Sequence, residues 1–147
     1  MRRQGQVFEF FLQLAERRRL PVIVHSRLAV NEVLETLTRF DLRTVLLHWY
    51  DGPIEKLRLI EDRGYLISIG PVTLYSPRTC ELARKAGLGM ILTETDGPVA
   101  YGGQFKGRMT KPSFVIDVVQ KFAEIKSISM DVAQDALLNN FRKLVSA

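Results

Sequence analysis

Four short apolar runs recur along the chain at nearly constant spacing, and each ends in a polar residue or a glycine. The first is Leu20-Pro21-Val22-Ile23-Val24-His25, and the second is Thr44-Val45-Leu46-Leu47-His48. Tyr65-Leu66-Ile67-Ser68-Ile69-Gly70 and Met90-Ile91-Leu92-Thr93-Glu94 follow. The run ends His25, His48, Gly70 and Glu94 stand 23, 22 and 24 residues apart. A continuously apolar run rich in β-branched residues reads as a strand buried on both faces, as parallel strands are. Repetition at this period describes βα units, with one helix between successive strands. Parallel strands open their C-terminal ends on one common face, and polar residues gathered there are placed for chemistry.

The segments between the runs have helical periodicity. Residues from about Gln6 to Arg19 carry Val7, Phe8, Phe11, Leu14 and Ala15 at three- and four-residue spacing, which predicts one broad apolar face. Ala29 to Phe40 forms the next helix, with Val33, Leu34 and Leu37 inward. Asp51-Gly52-Pro53 is a turn and helix start, and Gly64 ends the helix that follows. Ser76-Pro77 starts the helix of Leu82, Ala83 and Ala86. A glycine-bearing loop after Pro98 crosses the C-terminal face. Two closing helices follow, from about Pro112 to Lys126 and from Ser129 to Ser146, the second capped by Ser129. Nothing divides residues 1–147, so one domain is expected.

Composition narrows the class of protein. Hydrophobic residues are 46% and charged residues 25% of the 147, a globular profile that argues against disorder. The net charge of +5, with a pI near 9.6, permits a polyanionic partner without demanding one. The single cysteine, Cys80, allows no internal disulfide and fits a reducing, cytoplasmic setting. No run approaches the roughly 18 apolar residues of a membrane span.

The chain has two histidines, His25 and His48, and both fall at C-terminal ends of predicted parallel strands. A lone histidine there would be read as a capping or carbonyl-bonded side chain. Two in equivalent positions, with Asp96 at a third, favour a site. Two neutral imidazoles and a carboxylate suit zinc, manganese or a similar divalent ion. Glu94 lies two residues before Asp96, so both are expected on one side of the strand. That makes Glu94 a general base, a partner to the ligands, or a structural acid. Arg27 at the mouth would fork onto a phosphate, against a surface salt bridge as the plainer alternative. Trp49 and Tyr50 would wall the cleft or stack on a base, with buried core the plainer reading for at least one of them. No phosphate-cradling glycine motif is present, which counts against a nucleotide-binding doubly wound sheet.

On these residues the chain resembles the TatD-type metal-dependent deoxyribonucleases. The matching stretches are Leu-Pro-Val-Ile-Val-His-Ser-Arg at 20–27, Val-Leu-Leu-His-Trp-Tyr-Asp-Gly at 45–52, Leu-Ile-Ser-Ile-Gly-Pro at 66–71 and Ile-Leu-Thr-Glu-Thr-Asp-Gly-Pro at 91–98. The end, Leu138-Asn139-Asn140-Phe141-Arg142-Lys143-Leu144, resembles the family's closing helix. The resemblance implies a (β/α)8 TIM barrel and a divalent metal, whether zinc, magnesium or manganese. It implies phosphodiester hydrolysis, with DNA as substrate. By position, His25 and His48 match ligands of one metal and Asp96 a ligand of the other; Glu94 and Arg27 match positions near the site. Two departures leave specificity open: Trp49-Tyr50-Asp51-Gly52 follows the second histidine in place of Cys-Phe-Ser-Gly, and Thr110 replaces an asparagine.

The larger departure is the lack of the family's N-terminal His-x-His pair and of a metal-bridging Glu. A closed barrel takes about 250 residues, so a partial barrel of about four parallel strands is expected. Its two outer strands would lack partners, and its inward apolar side chains would be exposed. Association follows as an expectation, with a second copy or with a missing N-terminal half. A fragment, a reading frame with a late start and a natural half all fit the sequence. The rival functional reading is a non-catalytic fragment or pseudoenzyme that binds nucleic acid or a partner chain.

Overall fold

The computed structural model describes residues 2–146. Four strands, β1 (Val22–His25), β2 (Val45–His48), β3 (Leu66–Ile69) and β4 (Ile91–Thr93), form one sheet in the order β1-β2-β3-β4. Every neighbouring pair is parallel. Six α-helices accompany them: α1 (Arg2–Arg18), α2 (Val30–Leu37), α3 (Leu57–Asp62), α4 (Pro77–Lys85), α5 (Phe114–Lys126) and α6 (Met130–Val145). The sheet is open, four parallel strands with a helix between successive strands, as the spacing of the runs implies.

Local chemistry sets the helix ends. Ser76 Oγ accepts from Thr79 N–H at 3.3 Å and Pro77 takes the first position of α4, where its missing N–H costs nothing. Ser129 Oγ likewise accepts from Val132 N–H at 3.3 Å and opens α6. Gly64, at φ +66°, supplies the left-handed turn after α3.

One face of the sheet packs on the helices. Val24, Val45, Leu47, Ile67, Ile69 and Ile91 join Leu12 of α1, Leu34 and Leu37 of α2, Leu82 and Ala83 of α4, and Phe122 of α5 in the main core. The first helix differs from its sequence reading. It begins at Arg2 rather than near Gln6, and its buried stripe is Leu12 and Ala15 with Phe8 half-buried. Val7 and Phe11, expected inward, are 54% and 57% exposed. The ion pair of Arg39 with Glu9 at 2.6 Å and the Asp41 N–H bond to Glu16 at 2.6 Å tie α1 to the end of α2. Leu12 and Ala15 take the core side, so the other apolar flank of α1 faces outward.

The opposite face also departs from expectation. Alternation along the strands places Ile23, Leu46, Leu66 and Leu92 on the side away from the helices. These should be bare in an open half-barrel, yet Leu46, Leu66 and Leu92 are buried. Leu144, in the last turn of α6, joins them in a separate cluster. The Thr44 hydroxyl donates to the Lys143 carbonyl at 3.4 Å, so the end of α6 lies across the start of β2. Ile23 alone of the four stays open, at 62% exposure, outside the cluster that Leu144 covers. The sequence pattern reads all four strands as buried on both faces; β2, β3 and β4 approach that and β1 does not.

Leu144→Ala tests the cover. Removing it opens a cavity over three leucines, and the expected loss is about 2–4 kcal/mol in chemical denaturation. Binding of a hydrophobic dye should rise in parallel. A loss near zero would mean that α6 does not cap this face.

Candidate active site

The parallel register builds the site. Val22 stands opposite Val45, which sets His25 directly opposite His48 at the carboxyl ends of β1 and β2. Their Nδ1 atoms lie 3.4 Å apart and the rings meet edge to face with centroids 5.6 Å apart. A pair of neutral imidazoles at that distance holds one proton between two nitrogens. His48 Nε2 faces the Glu94 carboxylate at 3.2 Å, so both ring nitrogens of His48 are engaged.

Glu94 arrives from β4. The strand stops at Thr93, and the Glu94 N–H donates to Ile69 O at 3.0 Å, which extends the ladder by one bond. The carboxylate is nearly enclosed, with 12% of the side chain exposed. Its Oε2 accepts from Ser68 Oγ, while Oε1 is buried without a partner. Burial pushes the Glu94 carboxyl above the usual carboxylate range; the Ser68 hydroxyl and His48 oppose that shift, and the Asp96 charge adds to it. A Cβ at Gly70 would stand in ordinary van der Waals contact with Glu94, 3.4 Å from Cγ and 3.7 Å from Oε1.

Asp96 falls beyond the strand, in the loop, so strand alternation does not govern where it points relative to Glu94. Its N–H donates to the buried Tyr101 hydroxyl at 2.8 Å, which anchors the loop beside the site. Arg27 is exposed and forms no ion pair among the described residues. Trp49 is half-buried and leans on Tyr101, with ring centroids 6.0 Å apart. Tyr101, Phe105 and Phe114 make a small aromatic core beneath it. Gly103 permits that loop, since at φ +56° a Cβ would meet the Tyr75 ring at 2.8 Å.

Tyr50 is corrected by the structure. It is 4% exposed, belongs to the main core, and donates its hydroxyl to Pro53 O at 2.8 Å. The side chain has no free surface for a substrate, so it is the core member of the Trp49-Tyr50 pair. Ser68 and Tyr101 are the residues that the sequence reading passed over. Ser68 carried one signal: it is the only polar residue inside the run Leu66–Ile69. Tyr101 carried none.

A divalent ion can be tested against these side chains. Imidazole nitrogens and carboxylate oxygens are the donors such ions take, and Glu94 Oε1 is a buried oxygen lacking any partner. Among the described residues, though, no three His, Cys, Asp or Glu side chains stand together as a ready cage. The residues fit an ion in donor type and supply part of its shell. No helix among the described residues is long and apolar enough to cross a membrane.

Comparison with known proteins adds the family. The family model described as TatD related DNase matches residues 1–146. The chain is 32% identical over 141 residues to the uncharacterized metal-dependent hydrolase YjjV of Escherichia coli, covering 94% of this chain and 54% of that protein. It is 32% identical over 141 residues to the human deoxyribonuclease TATDN3, covering 96% of this chain and 51% of that one. The crystal structure of YjjV superposes with a TM-score of 0.91 at 31% identity, over 99% of this chain and 57% of that chain. A TatD family hydrolase from Entamoeba histolytica shares the fold, with a TM-score of 0.78 at 16% identity, over 97% of this chain and 56% of that chain. The chain therefore spans just over half the length of the relatives it matches.

The buried phenol of Tyr50 gives a pH test. Burial raises its pKa from about 10 to about 12. Between those values the folded chain keeps a proton that the unfolded chain has lost, so stability is full below pH 10 and falls as pH rises through 12. Tyr50→Phe should remove that slope while costing about 1 kcal/mol at pH 8 for the lost hydrogen bond. Denaturation midpoints at pH 8 and pH 11 check it; equal slopes in parent and variant would contradict the burial.

Proposed function

The chain belongs to the TatD related DNase family, and from that premise we propose that its carboxyl-edge cluster serves metal-dependent hydrolysis of phosphodiester bonds, with DNA as the substrate. The observation that carries the reading is the opposition of His25 and His48, with the Glu94 carboxylate against His48. His25, His48 and Asp96 are the proposed ligands. A bound divalent ion would supply Lewis-acid polarisation of a phosphoryl oxygen. Glu94 Oε1 is the proposed seat of a transferred proton, since burial raises the proton affinity of that carboxyl. Arg27, exposed at the mouth, takes a phosphate through its guanidinium fork. Trp49 presents an aromatic edge for a base. Compartment is part of the proposal: the single cysteine suits the cytoplasm.

The described donors make up only part of a shell, and this favours a second reading in one respect. A polypeptide carrying further ligands, such as an N-terminal half, completes the site, whereas another copy repeats His25, His48 and Asp96. The chain alone then binds ions and nucleic acid and cleaves weakly or not at all. The outward flank of α1 and the open edge of β1 at Ile23 support such a partner.

Two measurements separate these outcomes. Calorimetric titration with Zn²⁺ or Mn²⁺ should show binding that His48→Ala weakens by at least about tenfold; equal binding would make the histidines structural. Ion-dependent DNA cleavage should be weak for the chain alone and rise when the N-terminal half of a relative is added, with Asp96→Ala abolishing the gain. Robust cleavage by the chain alone would show its own residues to be sufficient. No cleavage with the added half would overturn the nuclease reading.

A further inference from the structure

We propose that Ser68 is the positioning residue of this site: its hydroxyl locks the Glu94 carboxylate and the main chain after His48 to one another. Ser68 lies on β3, between the strands that deliver His48 and Glu94. It is 2% exposed, and both roles of its hydroxyl are used. The O–H donates to Glu94 Oε2, and the oxygen accepts from Trp49 N–H at 2.9 Å. The Ser68 carbonyl accepts from Tyr50 N–H at 3.2 Å. One residue therefore holds two successive amides beyond His48.

Those amides need holding. Trp49 sits at φ +46°, in the left-handed region that bulky side chains avoid. A bulky residue there is strained and persists when its surroundings over-determine it. The turn at Trp49 ends β2 immediately after the histidine, so the amides that Ser68 holds are those that close the strand carrying His48. Glu94 Oε2 receives both the Ser68 hydroxyl and His48 Nε2, which closes a loop from His48 through Trp49 and Ser68 to Glu94 and back. Ser68 directs its hydroxyl proton to the carboxylate that faces the histidine.

The functional meaning rests on the proposed hydrolytic reading, but the test uses neither ion, DNA nor turnover. NMR is recorded at one fixed pH for the parent and every variant. With two histidines in the chain, the ring signals are assigned by His25→Ala and His48→Ala. In the parent, the Trp49 amide should exchange with solvent at least about tenfold more slowly than an unbonded amide. In Ser68→Ala, the His48 ring ¹⁵N signals should move while the far-ultraviolet circular dichroism is kept. A Trp49 amide that exchanges freely in the parent overturns the proposal, even if Ser68→Ala fails to fold. So does a folded Ser68→Ala whose melting temperature falls while the His48 signals stay in place.

Discussion

Strand register is the constraint on which the rest depends. In a parallel pair, a shift by one residue turns every side chain to the other face. Here the single register of β1 on β2 puts His25 opposite His48 and, at once, puts Val24 and Leu47 into the helix-packed core. The apolar residues therefore enforce the chemistry. Moving the histidines out of opposition would expose Val24 and Leu47, and each buried aliphatic side chain is worth about 1.5–3 kcal/mol. The ion pairs on the outer helices are far weaker constraints, since exposed pairs are worth about 0–1 kcal/mol.

Above that foundation, the site is a layer of polar groups on top of a layer of leucines. Leu46, Leu66 and Leu92, covered by Leu144, form the floor. His25, His48, Ser68 and Glu94 form the level above it. The floor excludes water from below, so Glu94 is buried on a polar contact network rather than solvated. Enclosure is what raises its proton affinity, and the Ser68 hydroxyl and His48 hold the carboxylate against complete neutralisation. The aromatic group of Tyr101, Phe105 and Phe114 braces the loop that follows β4 and carries Asp96.

Much of this was legible in the residues because it depends on local pattern. The four runs, their parallel order and the helices between them follow from periodicity and from caps such as Ser76 and Ser129. Placement of His25 and His48 at neighbouring strand ends needed only the repeat. What escaped depends on tertiary geometry. The orientation of α1 is set by which side chains the core takes, Leu12 and Ala15, and helical spacing cannot choose between Phe11 and Leu12 for it. Coverage of the inward face depends on where α6 ends, which no pattern in α6 specifies. Glu94 was legible as a site residue from its run end; its bond to Ser68 was not, since it depends on β3 lying between β2 and β4. Tyr50 and Trp49 look alike in sequence, and a left-handed turn at Trp49 sends one to the core and the other to the rim.

The central claim is that the register makes His25 and His48 two donors of one ion site. Anomalous diffraction from a crystal soaked in Zn²⁺ addresses it directly. The account predicts one peak at about 2.0–2.1 Å from a ring nitrogen of both histidines. A peak bound to one histidine alone, or none at this edge of the sheet, would contradict it.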